Sequence, residues 1–470
     1  MKVVGLVALA CALFVPAVGL GALAGSADSP PVPPPTLPVP TGPLPTVPDP
    51  TVPVPTATDP TVTVPTVPPP PEPPPTPTVP EIAWGAADDA SKFADDGGAW
   101  FYGLLKGASL TQNRWTVAFD PSNPTAINEL PFLERAAPKA QEAGVRVILV
   151  LFSLKGSQHD PIAFCDWAKQ VVQAVNKWGI HDFVVGNEVN TRLYWTPQKD
   201  SRGRDVAAPA YLALLATCYD GIHAIDPDAN VIGMGLSPRA STPESNEPLV
   251  FLRDVGRAYR ASGRTTPIMD QLSVHPYPNP SNPTDGPEVG YDNPNRFGVS
   301  NLDRVKQAVY DAFNRTGQPT TRNGLTFVID EVGWQTDTAR SPGYVNSENV
   351  TVVSEQKQAD HIKAMVSKYF ACDPTVVAVQ LFLLVDEKYR NGRDESNKYV
   401  GGGWQSGLVT AGGEGVSQQK GSYAASASLF GLGRSACAGR MISWSPGKTV
   451  TPAKALSKKL AKKPKKKAHR

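Results

Sequence analysis

The sequence contains few of the residues that build metal and redox centres. Its 470 residues include five Cys and six His, and no two Cys lie as close as the C-x-x-C spacing of a metal site. His and Asp do not cluster at ligand spacing either. The sequence therefore indicates no metal centre, and we expect no cofactor.

A glycine-rich phosphate loop is also missing. The first predicted strand begins near Ile82 and runs through the letters IAWGAADD, which are acidic and aromatic. An open doubly wound sheet that binds a dinucleotide carries several glycines at this point. Their absence argues against that fold.

Acidic residues are absent from the last twenty positions, which hold eight Lys and one Arg. Because the whole chain has a net charge of +2, the other residues carry −7. This composition predicts that residues 445–470 form a disordered, solvated tail. The tail either binds anionic cell-wall polymers or a membrane surface, or serves only solubility. Export of the protein argues against a nucleic-acid partner.

The first 24 residues have the pattern of a signal peptide. Lys2 precedes a long apolar run, and Ala22-Leu23-Ala24 has the small-x-small pattern that signal peptidase cleaves. We therefore expect an extracellular protein, either secreted or associated with the cell wall. An uncleaved membrane anchor is the alternative, because the apolar run is long enough to span a bilayer.

Residues 25–80 have almost no side chains that can form a core. From Pro30 to Pro80 nearly every residue is Pro, Thr or Val. This composition predicts an extended polyproline linker, about 160 Å long at ~3.1 Å per residue. The linker is either a stalk that holds the following domain away from a surface or an unconstrained tail.

Residues 81–444 predict one α/β domain, a (β/α)8 TIM barrel. Eight short apolar runs are separated by roughly 30 to 55 residues, which leaves room for a crossover helix each time. The predicted strands begin near Ile82, Asn113, Val145, Asp182, Asn230, Met269, Leu325 and Val376. Helical patterns alternate with them, as a barrel of this size requires.

Two of the predicted helices have recognisable ends. After the third strand, Asp160 and Pro161 predict an N-cap and first turn, and Gly179 predicts the end of the helix. After the sixth strand, Asn301 predicts the N-cap of a helix with one apolar stripe.

Four Cys remain once the signal peptide is removed, and an even number in an exported protein indicates disulfides. Cys165 and Cys218 fall in the helices that follow strands three and four, which are neighbours in a barrel. We predict that these two pair. Cys372 and Cys437 form the second predicted pair.

Two glutamates lie at the ends of predicted strands, Glu188 at strand four and Glu331 at strand seven. Reacting groups project from the carboxyl ends of strands in an α/β barrel, so we expect the two side chains to face each other across one mouth. Hydrolysis of a glycosidic bond with retention needs such a pair. One carboxyl protonates the leaving oxygen and the other attacks the anomeric carbon.

Three short motifs occur in the order and at the strands where one group of enzymes carries them. They are Gly186-Asn187-Glu188 at strand four, His275-Pro276-Tyr277 at strand six and Asp330-Glu331-Val332-Gly333-Trp334 at strand seven. With these motifs the barrel resembles the clan A glycoside hydrolases, which include the cellulase-like family five and the xylosidase-like family thirty-nine. The resemblance implies that Glu188 is the general acid/base, that Asn187 holds the sugar 2-hydroxyl and that Glu331 is the nucleophile.

The resemblance also implies roles for three neighbouring residues. Tyr277 would donate a hydrogen bond to the nucleophile, and His275 would line the same subsite. Arg114, in strand two, matches the arginine that keeps the nucleophile ionised.

Strand eight departs from the pattern of the group. Many members end this strand in a tryptophan beneath the sugar, whereas this sequence continues to Asp386-Glu387. Trp404, in the glycine-rich segment that follows, is the candidate replacement. Trp334, close behind Glu331, is a second candidate for stacking on the sugar.

Other aromatic and acidic residues near the predicted mouth have two interpretations. Trp84 and Trp115 are either sugar platforms or packing residues. Asp88, Asp89, Asp386 and Glu387 either bind sugar hydroxyls or are solvated acids.

The resemblance implies a secreted retaining β-glycoside hydrolase. It would act on a polysaccharide or oligosaccharide by double displacement, and we expect a monomer. A surface carbohydrate-binding or wall-anchoring protein on the same barrel is one alternative, and a transglycosylase with the same residues is another. The sequence indicates neither the sugar nor the linkage.

Overall fold

The computed structural model describes residues 79–153, 160–279, 282–336, 352–387, 403–412 and 415–447. The predicted signal peptide, the linker up to residue 78 and the basic tail from residue 448 lie outside the described residues. No helix in the described part of the chain is long and apolar enough to cross a membrane.

Eight parallel strands close into a barrel in the order of the sequence, and the last strand pairs with the first. The strands are β1 (Ala83–Ala87), β2 (Gln112–Phe119), β3 (Arg146–Ser153), β4 (Asp182–Val185), β5 (Asn230–Leu236), β6 (Gln271–Val274), β7 (Thr326–Val332) and β8 (Val376–Leu381). Each predicted apolar run contains one of them. The predicted (β/α)8 fold is therefore confirmed.

Helices follow the strands and cover the outside of the barrel. They are α1 (Ala90–Phe93), α2 (Ala99–Gly107), α3 (Leu130–Glu142), α4 (Pro161–Val175), α5 (Ala207–Ile225), α6 (Pro248–Ser262), α7 (Leu302–Phe313), α8 (Glu355–Met365) and α9 (Gly421–Phe430). A π-helical turn, Val366–Phe370, continues α8.

The strands are apolar along their whole length because they are buried on both faces. One set of side chains fills the barrel interior, and the alternate set packs against the helices. The interior set consists of Ile148, Val150, Val184, Ile232, Val328 and Ala378. This alternation decides which side chains at the strand ends project into the mouth.

Helix α4 begins at the predicted residues and ends at Val175, before the predicted Gly179. The Asp160 side chain accepts hydrogen bonds from the N–H groups of Ile162 and Ala163. After α4 a short 3-10 turn ends at Gly179, which has a φ of 70°.

Helix α7 begins after Asn301, but the predicted cap is wrong. The Asn301 side chain makes no capping hydrogen bond, because a 3-10 turn, Val299–Asn301, leads directly into the helix. Its Oδ1 instead accepts from the N–H of Tyr291 at 2.9 Å and holds the preceding loop.

Both predicted disulfides are confirmed. Cys165 in α4 pairs with Cys218 in α5, and Cys372 pairs with Cys437. The first bond joins α4 and α5, the helices that follow β3 and β4. The second fastens the segment after α9 to the residues just before β8.

We expect the Cys165→Ala/Cys218→Ala double variant to lose about 4 kcal/mol of free energy of unfolding. Its disulfide closes a segment of 53 residues, and loss of that closure gives the unfolded chain more freedom. Urea denaturation of the described domain measures the change. The matched control is Cys372→Ala/Cys437→Ala, with a separation of 65 residues and a similar expected loss. A loss below about 1 kcal/mol would contradict the entropic argument.

The first and last described residues are fastened to the barrel. Arg434 donates hydrogen bonds to the carbonyl oxygens of Pro80 and Val376, at the start of β8. Gly447 N–H donates to Gln307 Oε1 in α7 at 2.8 Å. The last described residue, Gly447, therefore contacts the outside of the barrel.

Candidate active site

Glu188 follows β4 in a tight turn. Gly186 has a φ of 92°, and a Cβ there would lie 2.5 Å from Val189 Cγ1, so a side chain does not fit. Glu188 has a φ of 43°, which residues other than glycine rarely adopt. Its N–H donates to Gly235 O, and its carbonyl accepts from Thr191 N, both at 2.7 Å. Such a conformation costs free energy and is typically kept at functional sites.

Asp330 and Glu331 are adjacent in β7, yet both face the barrel mouth. By alternation Asp330 lies on the inward side with Val328, and Glu331 would point outward in a regular strand. The pairing of β7 with β8 shifts register between Ile329 and Val332. An irregularity of this kind re-aims a side chain, and here it turns Glu331 into the mouth.

Arg114 binds three site residues through one nitrogen. Its Nη2 lies 2.9 Å from Glu331 Oε1 and 3.6 Å from Asp330 Oδ2. The same atom donates to Asn187 Oδ1 at 2.8 Å. Burial lowers the pKa of Arg114, but the facing carboxylates of Glu331 and Asp330 outweigh burial and raise it. Because arginine only donates, the contact also orients the Asn187 amide.

Tyr277 holds the second oxygen of Glu331. Its hydroxyl donates to Glu331 Oε2 at 2.9 Å. Burial first, and then the negative charge of Glu331, raise the pKa of Tyr277 well above its ordinary value. Tyr291 holds the backbone of Tyr277, since its hydroxyl donates to the Tyr277 carbonyl oxygen at 3.3 Å.

His275 lies between the carboxylates and has no exposed surface. Its Nδ1 lies 3.4 Å from Glu188 Oε1 and 3.5 Å from Glu331 Oε2, and its Nε2 lies 3.0 Å from Asp330 Oδ1. Burial lowers the pKa of His275, but Glu331 and Asp330 outweigh it and raise the value to about 10. Asp330 keeps a lowered pKa in return, because His275 and Arg114 oppose the effect of its burial.

The shared contact with His275 limits the separation of the two glutamates. Glu188 Oε1 and Glu331 Oε2 can be no farther apart than 6.9 Å, the sum of their distances to Nδ1. Retaining glycosidases hold their carboxyl groups about 5 Å apart, and inverting ones about 6.5–9.5 Å. The upper limit of 6.9 Å is compatible with the retaining separation. Most of the inverting range is longer than this limit.

We expect His275 to stabilise the fold most at neutral and acidic pH. A raised histidine pKa gives stability that is complete below the ordinary value of 6.5 and is lost as the pH rises through about 10. The difference in free energy of unfolding between wild type and His275→Gln should therefore shrink between about pH 7 and pH 10. Urea titrations across this range measure it. A difference that stays constant would show that His275 is not charged in the folded protein.

The structure brings together six of the residues that the sequence singled out. They are Arg114, Asn187, Glu188, His275, Tyr277 and Glu331. Trp404 approaches this cluster through Phe382, the first residue after β8. The Phe382 ring lies 6.2 Å from that of Tyr277 and 5.6 Å from that of Trp404, in edge-to-face arrangements.

A buried lysine holds the segment that carries Trp404. Lys420 Nζ donates to Thr336 Oγ1 at 2.7 Å, to Asp386 Oδ1 at 2.8 Å and to the Gln405 carbonyl oxygen at 3.0 Å. These partners belong to the segments after β7 and β8 and to the Trp404 segment. The lysine therefore fixes the half-buried Trp404 ring relative to the strand ends.

The other tryptophans are packing residues in this structure. Trp334 is 2% exposed, its ring lies 5.2 Å from that of His361, and its Nε1 donates to the Asp285 carbonyl oxygen. The structure thus gives Trp334 no open face for a sugar. Trp84 and Trp115 are equally buried.

Asp88 and Asp386, two acids near the mouth, are enclosed by the protein. Asp88 is buried and accepts from the N–H groups of Leu384 and Val385, so it ties β1 to the segment after β8. Burial raises the pKa of Asp88 to about 7. Burial also raises the pKa of Asp386 to about 6, although Lys420 opposes the effect. Asp88 and Asp386 are therefore buried acids that hold segments of the barrel mouth together, and neither is a solvated surface acid.

Sequence reasoning missed three residues of the site. Asp330 ends the apolar run FVID, and it was predicted only as a member of the strand-seven motif, without a role of its own. Tyr291 and Phe382 had no recognisable signal, since their contacts depend on how the segments after β6 and β8 fold back. Within the described residues, no group of His, Cys, Asp and Glu is arranged to hold a metal ion.

Solved structures with similar folds include glycoside hydrolases. A family 39 glycoside hydrolase from the gut symbiont Bacteroides cellulosilyticus WH2 shares 14% identity over 75% of this chain and 64% of that chain, with a TM-score of 0.49. A monomeric β-xylosidase from Caulobacter crescentus CB15 shares 15% identity over 75% of this chain and 68% of that chain, with a TM-score of 0.47. A family 1 β-glucosidase from Thermotoga maritima shares 11% identity over 74% of this chain and 97% of that chain, with a TM-score of 0.43.

These identities describe a likeness of fold alone. The chain spans less than two thirds of the Bacteroides enzyme. No protein-family model and no curated protein sequence matches the chain. The three enzymes are named as a family 39 glycoside hydrolase, a β-xylosidase and a family 1 β-glucosidase, and the cellulase-like family five is not confirmed.

Proposed function

We propose that this protein is a secreted retaining β-glycoside hydrolase that cleaves a β-glycan or oligosaccharide by double displacement. One observation carries the proposal. Two carboxylates from opposite sides of the barrel, Glu188 and Glu331, meet at His275 Nδ1 in one mouth, and their surroundings differ.

The difference assigns a role to each carboxylate. Glu331 has one oxygen against Arg114 and the other against the Tyr277 hydroxyl, and these contacts stabilise its negative charge. Both contacts also aim the carboxylate, as a nucleophile requires. Glu188 contacts only one side chain among the described residues, His275 at 3.4 Å. Its carboxyl group is therefore the less tightly held of the two, which suits the general acid/base.

The reaction follows from these roles. Glu331 attacks the anomeric carbon while Glu188 donates its proton to the leaving oxygen, and a glycosyl ester forms on Glu331. Glu188 then removes a proton from water, which attacks the same carbon and releases the sugar with its configuration retained. Arg114 and Tyr277 stabilise the carboxylate that Glu331 regains.

Asn187 is suited to hold a sugar hydroxyl next to the reacting carbon. Its Oδ1 faces Arg114, so its amide hydrogens point away from the guanidinium, and no described residue accepts them. Trp404, beside Phe382, offers a half-buried ring for stacking on a sugar.

A substrate screen tests the proposal. The secreted protein is incubated with β-linked polysaccharides and with 4-nitrophenyl β-glycosides of several sugars, and NMR follows the anomeric configuration of the first product. We expect a β product that mutarotates later. An initial α product would overturn retention. Binding without cleavage of any substrate would favour the carbohydrate-binding alternative, and transfer of the sugar to an added acceptor would favour the transglycosylase.

Secretion rests on the sequence of residues 1–24 and is part of the proposal. Fractionation of producing cells, with N-terminal sequencing of the mature protein, tests it. Cleavage after Ala24 is the expected result. A protein that retains its apolar segment and stays in membranes would be anchored instead.

A further inference from the structure

Arg239 is a guanidinium without an acidic partner at the edge of the candidate active site. The residue is half-buried in the segment after β5. Its one polar contact within the described residues runs from Nη1 to the carbonyl oxygen of Ala240, its own neighbour, at 3.4 Å. Arginine side chains that lose water on burial normally gain a carboxylate in exchange. Arg239 has not done so, and its charge is available to a ligand.

The backbone places Arg239 beside the turn that carries Glu188. Glu188 N–H donates to Gly235 O at 2.7 Å, and Ser237 N–H donates to Asn190 Oδ1 at 3.0 Å. Arg239 follows two residues after Ser237. The end of β5 therefore runs along the proposed acid/base, which follows the neighbouring strand β4.

The acid that contacts this segment is already neutralised. Glu247 pairs with Arg296, whose Nε and Nη2 both donate to its carboxylate, the latter at 2.5 Å. Glu247 also accepts from the N–H of Ala240 at 3.3 Å. Glu247 therefore does not neutralise the positive charge of Arg239.

Tyr291 lies within electrostatic range of both Arg239 and Glu188. Burial raises the pKa of the Tyr291 hydroxyl, Arg239 is the largest influence that lowers it, and Glu188 raises it further. The same hydroxyl donates to the Tyr277 carbonyl oxygen at 3.3 Å. Arg239 therefore lies within electrostatic reach of the reacting groups.

We propose that Arg239 binds a carboxylate on the leaving-group side of the scissile bond and selects glycans that carry an acidic sugar there. The proposal rests on the glycosidase function proposed above. Strand β5 adjoins β4, which carries the acid that protonates the leaving oxygen, and β6 separates β5 from the nucleophile on β7. A planar guanidinium forms two parallel hydrogen bonds with a carboxylate, which gives both attraction and orientation.

Kinetics with paired leaving groups test this assignment. The substrates are the 4-carboxyphenyl β-glycoside of a sugar that the enzyme cleaves and the methyl ester of the same compound. Substitution Arg239→Gln should lower the ratio of kcat/KM for acid over ester by about 10- to 100-fold, the usual effect of losing a hydrogen bond between charged groups. Arg239→Lys should recover part of the ratio. Arg192→Gln, at an exposed arginine in the segment after β4, is the matched control and should leave the ratio unchanged.

Three outcomes overturn the assignment. An equal loss on acid and ester would show that Arg239 only maintains the segment. An unchanged ratio would show that its charge does not reach the substrate. A 4-sulfophenyl glycoside preferred over the carboxylate would replace the proposed carboxylate with another anion.

A binding measurement separates this proposal from the enzymatic one. If no aryl glycoside is cleaved, calorimetry compares 4-carboxyphenyl β-D-xyloside and β-D-glucoside with their methyl esters on wild type and Arg239→Gln. Tighter binding of an acid that disappears in the variant would support the site even though the proposed reaction had failed. Equal binding of acid and ester would overturn the site independently.

Discussion

Replacement of Glu331 by alanine should abolish turnover of every substrate, with a loss on the order of 10^4- to 10^6-fold in kcat. The covalent intermediate cannot form without this carboxylate, whatever the leaving group. Kinetics with an activated aryl glycoside and with a natural glycan measure the loss. Because Arg114 loses its closest acidic partner, at 2.9 Å, thermal unfolding of the variant must be recorded beside its activity.

Azide provides the decisive control for Glu331→Ala. The small anion can occupy the space of the missing carboxylate and attack the anomeric carbon itself. One displacement then takes place, and the glycosyl azide should have the inverted α configuration. A β product would mean that Glu331 is not the nucleophile.

Loss of Glu188 should depend on the leaving group. An aryl glycoside with an acidic phenol needs little protonation, whereas a natural glycan needs a full proton. We therefore expect Glu188→Ala to lower kcat/KM by about 10²- to 10⁴-fold on a glycan and far less on the aryl glycoside. Rates on a series of aryl glycosides with phenols of different acidity measure this dependence. A loss that is the same for all of them would contradict the acid/base role.

Azide should also accelerate Glu188→Ala on the aryl substrate. Here it attacks the glycosyl ester on Glu331 without needing a general base, so the product should keep the β configuration. If the azide products of the two variants were exchanged, the roles of Glu188 and Glu331 would be reversed. If neither variant changed any rate, the carboxylates would not be catalytic.

The barrel was predictable because its strands are buried on both faces. Each strand is a short apolar run that local sequence reveals, and the (β/α)8 order then leaves one arrangement of neighbours. The pairing of Cys165 with Cys218 follows from that order alone, since their helices stand behind adjacent strands. The Asn301 cap failed because a 3-10 turn before a helix has no equally clear sequence pattern.

The site was predictable only where strands carry it. Glu188, Glu331, His275 and Arg114 lie in or next to strands, so the barrel order brings them together. By contrast, the surroundings of Trp334 are set by α8, which brings His361 against its ring. Asp88 is likewise buried because the segment after β8 folds over it. Contacts between distant segments decide these cases, and local patterns do not record them.

The fastening of the domain at Pro80 and Gly447 has a practical consequence. Pro80 is held beside the start of β8, at the end of the barrel opposite to Glu188 and Glu331, and Gly447 is held against the outer helix α7. A resin, a reporter protein or a sensor chip joined through either position would therefore not obstruct the approach of a long polymer. An immobilised preparation coupled at residue 80 or 447 should keep the KM of the free enzyme when transport of substrate to the support is not limiting.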